Sequence, residues 1–89
     1  MTEEELKQHR LARGQRYRDF SAVFPAGADP DIVARMLSTV PEVTAVSVID
    51  HYAPRASYTF RVSTYRDGDV GQLHRDVTEL LVGIGCRLR

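Results

Sequence analysis

Val43-Thr-Ala-Val-Ser-Val-Ile-Asp-His-Tyr-Ala-Pro-Arg-Ala-Ser-Tyr-Thr-Phe-Arg-Val-Ser-Thr-Tyr-Arg66 is the stretch whose reading decides the fold. Val, Ile, Thr, Tyr and Phe crowd both of its halves, and these residues suit a pleated, half-buried surface. The spacing predicts two adjacent strands joined by a short loop at Ala53-Pro54-Arg55. The second half alternates: Tyr58, Phe60, Val62 and Thr64 fall on one side, and Ser57, Thr59, Arg61, Ser63 and Tyr65 on the other. A strand with one apolar and one Arg/Ser/Tyr face implies a sheet covered by helices on one side only. The open side is where a ligand would be met.

Outward from this pair, the chain supplies the covering helices. Towards the N-terminus, Tyr17 to Phe24 reads as a strand, with Phe20, Ala22 and Phe24 on one face. Pro25-Ala26-Gly27-Ala28 breaks it. Asp29 then caps a helix that opens on Pro30, where the missing N–H costs nothing. Ile32, Val33, Met36, Leu37 and Val40 form its apolar stripe, so Met36 is expected to fill the core. Pro41 stops the helix. Beyond Arg66, Asp67-Gly68-Asp69 makes a turn, and Asp69 caps a second helix with Gln72 placed to complete a capping box. Val70, Leu73, Val77, Leu80 and Leu81 make its buried stripe. Gly83 and Gly85 lead into a short last strand, Ile84 to Leu88, with Cys86 as a small residue in or near the core.

Residues 1–14 predict a further short helix, capped by Thr2, with acids in its first turn and Gly14 at its end. With only Leu6 and Leu11 strongly apolar, it has little to bury and is expected to be peripheral. It also begins a basic run, Lys7, Arg10, Arg13, Arg16 and Arg18. The chain therefore divides into an N-terminal helical arm or linker, 1–15, and a folded domain, 16–89. The domain's element order is β-α-β-β-α-β. This is the ferredoxin-like α+β pattern, a four-stranded antiparallel sheet with both helices on one face. Right-handed crossovers put its first and third strands in the middle.

At 89 residues this is one small two-layer domain. Twelve acidic and twelve basic side chains cancel, which weighs against indiscriminate nucleic-acid binding but leaves room for a local basic patch. No apolar run nears the roughly 20 residues that span a bilayer. No signal-peptide pattern opens the chain, and the lone Cys86 excludes an internal disulfide, so a cytoplasmic setting is expected. Catalytic chemistry is not in evidence. His9, His51 and His74 lack metal-site spacing, and Asp67 and Asp69 fit a turn and a helix cap better than a calcium loop. Neither a triad nor a glycine-rich phosphate loop can be picked out. No metal or cofactor is therefore called for, and a binding module is expected rather than an enzyme. Its open sheet face offers Arg18, His51, Arg61 and Tyr65, the residue types that stack bases and hold phosphates.

A family likeness carries this further. Arg16-Tyr-Arg-Asp-Phe-Ser-Ala-Val-Phe24 resembles the Arg-Asp-hydrophobic first strand of the ferredoxin-fold anticodon-binding domain that ends phenylalanyl-tRNA synthetases. Val46-Ser-Val-Ile-Asp-His-Tyr52, Ser57 to Arg66 and the closing Gly85-Cys-Arg-Leu-Arg89 are similar to that domain's later segments in order and spacing. The resemblance covers residues 16–89. It departs after Arg66: the family carries a longer loop with a Thr-Leu-Thr and acidic segment, whereas here Asp67-Gly68-Asp69 runs straight into Val70, so that loop's role is not carried over. The resemblance implies tRNA as partner, bound near the anticodon, with contacts from Arg18, His51, Arg61, Tyr65 and Arg66. It also implies a synthetase catalytic domain as a second partner; alone, the module would aminoacylate nothing. The competing expectation is a regulatory or protein-interaction module of the same fold that binds no RNA. An outward Ile49 and Tyr65 and the zero net charge would suit such an adaptor, while the sparse Pro25-Ala26-Gly27 loop speaks against a small-ligand site.

Overall fold

The computed structural model describes residues 2–52 and 56–88; the Ala53-Pro54-Arg55 connection lies outside them. Its elements are α1 (Glu3–Ala12), β1 (Gln15–Val23), α2 (Pro30–Leu37), β2 (Val43–Tyr52), β3 (Ser57–Tyr65), α3 (Val70–Gly83) and β4 (Arg87–Leu88). The strands form one sheet in the order β2-β3-β1-β4, every neighbouring pair antiparallel. This is the expected ferredoxin-like α+β arrangement, with β3 and β1 central.

One core lies on one face of the sheet. Phe20 and Ala22 from β1, Phe60 and Val62 from β3, and Val43 from β2 meet Val33 and Leu37 of α2 and Leu73, Val77 and Leu81 of α3. Phe60 is fully buried and stacks on Phe24 with ring centroids 5.7 Å apart. Removing each such side chain from water contributes about 1.5–3 kcal/mol, which is how two short helices and a sheet hold together. Thr64, also fully buried, satisfies its hydroxyl by donating to the Glu42 carbonyl at 2.7 Å.

The helix ends follow the capping residues. Thr2 accepts from the Glu5 N–H, Asp29 from Asp31 and Asp69 from Gln72. The Gln72 side chain does not close the box. Its amide instead donates to Asp76 Oδ1 at 2.7 Å, one turn further along α3. At the other end of α3, Gly85 takes φ +93°. Its N–H bonds the Val82 carbonyl and the Cys86 N–H bonds that of Leu81, which together make a Schellman cap.

Three expectations need correction. The last strand is only Arg87–Leu88, because Ile84 and Gly85 are consumed in capping α3. The first strand starts earlier than Tyr17, since Gln15 already pairs with Tyr65. Met36 and Ile32 do not fill the core; they are 36% and 54% exposed. In a helix of eight residues the buried pair is Val33/Leu37, one turn apart, with Ala34 packed beside it. The residues preceding that pair in sequence, Ile32 and Met36, are rotated about 100° away from the core side.

Candidate nucleic-acid interface

Directly opposed residues of neighbouring strands share a face, so the register sorts the candidate side chains. Arg61 lies opposite Asp19, and Tyr65 opposite Gln15, on the face without α2 and α3. Arg18 lies opposite the core residue Val62, and His51 opposite Tyr58, on the helix side. The sequence expectation that Arg18, His51, Arg61 and Tyr65 share one surface is thus corrected. His51 changes side because β2 shifts register between Val48 and Asp50, a bulge that takes Ile49 out of the pairing. Its ring then stacks on Tyr58 with centroids 4.2 Å apart.

On the open face, Arg61 donates to both carboxylate oxygens of Asp19, at 3.1 and 3.3 Å. The same guanidinium sits 4.2 Å over the ring of Tyr17. Asp19 raises the Arg61 pKa through this hydrogen bonding and pairs with its charge. Arg61 therefore steadies an aromatic ring rather than presenting a free cation. Tyr17 itself is 58% exposed, which leaves its ring available for stacking. Around it the face is small and polar, with Ser21 and Thr59 sharing a hydrogen bond of 2.8 Å across the strands.

Tyr65 is not available in the same way. It is 5% exposed, and the Arg10 guanidinium of α1 lies 3.8 Å over its ring. Arg10 also pairs with Asp67 at 3.0 Å and Glu42 at 3.4 Å. None of the α1 residues is buried, as the sequence suggests, yet this one side chain ties the helix to the end of β3 and the start of β2. The hydrogen bond from Arg10 holds the Asp67 carboxyl below its usual pKa, and that from Asp67 raises the Arg10 pKa. A carboxylate whose pKa falls on docking supports the docked state above the free value near 3.8 and loses that support as pH drops through the docked value. We expect Arg10→Ala, or acidification below that range, to release α1. Amide protection in α1, relative to the intrinsic exchange rate at the same pH, should fall, and quenching of tyrosine fluorescence (the chain has no tryptophan) should increase while the sheet stays protected. Unchanged protection in α1 would show that Arg10 is not the tether.

Arg66 belongs to a different cluster. With Arg13, Arg16, Ala12 and Asp67 it lines an open cleft of about 510 Å³ at the junction of α1, β1 and β3. Arg18 stands two residues beyond Arg16 on the same side of β1, about 6.5 Å along the strand. Among the described residues the ion pairs are those of Arg10 and Arg61, so Arg13, Arg16, Arg18 and Arg66 form none, although the charge of Arg13 does act on Asp67 in the same cleft. Asp50 accepts from the His51 N–H.

Sequence reasoning passed over Tyr17 and, as site residues, Arg13 and Arg16. The signal for Tyr17 was present. Counting back by twos from Phe20 puts Arg18 and Arg16 on the core side and Tyr17 on the open one. Elsewhere, Cys86 is buried, and burial pushes its thiol pKa up, which suits a packing role. Among the described residues no three His, Cys, Asp or Glu side chains gather as a metal site, and no helix is long and apolar enough to cross a membrane. Neither a family model nor a curated protein matches this sequence.

Proposed function

We propose that this chain is a non-catalytic, cytosolic RNA-binding module that contacts the anticodon region of a tRNA through its open sheet face. On this reading it works as part or relative of a phenylalanyl-tRNA synthetase, with the synthetase's catalytic domain as a further partner. The observation that carries the proposal is the Tyr17–Arg61–Asp19 unit: an exposed aromatic ring, stiffened by a fixed guanidinium, on an uncovered antiparallel sheet. Base–aromatic stacking on such a ring contributes about 1–3 kcal/mol per base.

Tyr17→Ala is therefore expected to weaken binding of a tRNA transcript by roughly 5- to 150-fold in fluorescence anisotropy at fixed low salt. The thermal midpoint should barely move, since the ring is mostly in water. Arg61→Lys, which keeps the charge but loses the fork that spans Asp19, should cost a smaller part of the same affinity. Absence of any tRNA affinity at low salt would sink the proposal. A protein-interaction role has its own support in Val48, Ile49 and Tyr52, each exposed along the edge strand β2. Concentration-dependent association in light scattering without tRNA binding would favour it.

A further inference from the structure

We propose that the cleft between Arg13, Arg16 and Arg66 is a phosphate-binding site that takes a phosphodiester of the RNA backbone; the choice of RNA rests on the function proposed above. Three arginines from three separate segments line one cleft on a chain of zero formal net charge. Bringing three like charges together with too few carboxylates to balance them is unfavourable unless an anion joins them. The one carboxylate in the lining, Asp67, bonds Arg10 at 3.0 Å and only its longer-range field reaches Arg13, so one shared carboxylate faces three cleft arginines.

The cleft is also built by the backbone. Gly14 adopts φ +100°, which turns the chain sharply from α1 into β1. The Arg66 N–H then donates to the Gly14 carbonyl at 3.1 Å, and the Arg66 side chain passes within van der Waals reach of Gly14. That turn brings Arg13, at the end of α1, beside Arg66, at the end of β3. Arg16 follows on β1 opposite Thr64. Guanidinium forks match phosphate oxygens in pairs, so the site suits a phosphate better than a monodentate anion. Arg18 extends the row towards a neighbouring phosphate. Tyr17, between Arg16 and Arg18 in sequence but on the opposite face, would meet a base of the same strand wrapping the sheet end.

The test uses Arg16→Gln, Arg66→Gln and their combination in the full chain, with Arg35→Gln on exposed α2 as control. Two probes are used: a tRNA transcript over a range of salt, and inorganic pyrophosphate followed through arginine Nε–H resonances. Each cleft variant should weaken tRNA about tenfold, as expected for a charged hydrogen bond. Each should also flatten the slope of log K against log salt by roughly 0.7–0.9. Pyrophosphate should shift the Arg13, Arg16 and Arg66 resonances selectively, and the Arg13 shift should vanish in the double variant. Loss of tRNA affinity no greater than in the Arg35 control overturns the cleft but leaves the sheet-face proposal standing. If the intact chain binds no tRNA, the RNA reading falls; selective pyrophosphate shifts would then still support a phosphate cleft, and uniform shifts over all arginines would overturn it as well.

Discussion

Phe60→Ala is expected to lower the stability of this domain by about 3–5 kcal/mol, the usual range for deleting a buried phenyl ring. At roughly 0.05–0.15 kcal/mol per residue, a domain of 89 residues has on the order of 4–13 kcal/mol in all. The substitution would consume a large part of that margin. Phe60 stands at the middle of β3, opposite Phe20 on one side and Val48 on the other, and no part of it reaches solvent. Its cross-strand neighbours have backbones locked in the ladder, so the cavity has little scope to collapse. Urea denaturation should show a lower midpoint with an unchanged m-value. Val82→Ala on the solvent side of α3, 58% exposed, should stay within about 0.5 kcal/mol of the parent. Equal losses at the two positions would mean that the core does not sit where the sheet and helices place it.

Gly68→Ala is expected to cost about 2–4 kcal/mol, and here the reason is space rather than backbone conformation. A β-carbon at this position would lie 2.7 Å from Thr64 Oγ1 and 3.0 Å from the Tyr65 carbonyl oxygen. The Thr64 hydroxyl cannot swing aside freely, because it donates to the Glu42 carbonyl in a fully buried setting. Relief requires breaking that bond or opening the turn in which the Gly68 N–H bonds the Tyr65 carbonyl at 2.9 Å. Overpacking of this kind costs about 1–3 kcal/mol, and a lost hydrogen bond adds about 1. A double-mutant cycle distinguishes this cause from a loss of turn propensity. In a Thr64→Ala background the added methyl group should be tolerated much better, giving a clearly non-additive pair. Strict additivity would place the cost elsewhere. Since Asp67 lies within this turn, distortion should also loosen the tether of α1 through Arg10.

Much of this architecture can be read from local chemistry. Asp29-Pro30 and Asp69 mark the helix starts, and the period-two pattern through Phe60, Val62 and Thr64 marks the core side of β3. The order of elements then leaves little choice of sheet topology. The last strand was misread because glycine is ambiguous: Gly85 serves a helix cap that takes its partners from α3, and only then does pairing with β1 begin. Met36 was misplaced because periodicity defines a stripe but not which edge of it a short helix turns to the sheet.

The candidate site divides along the same line. The sequence by itself determined that the open face carries Arg61, and period-two counting from Phe20 was enough to add Tyr17 to it, because alternation is a local property of the strand. Only the tertiary structure decided that His51 sits on the helix side, since a bulge depends on how β2 pairs with β3. It alone decided that Tyr65 lies beneath Arg10 and that Arg61 is paired with Asp19. It also gathered Arg13, Arg16 and Arg66 into one cleft. Each of these depends on contacts between residues remote in sequence, and charge cancellation or accumulation is set by distance in space, which residue spacing along the chain does not encode.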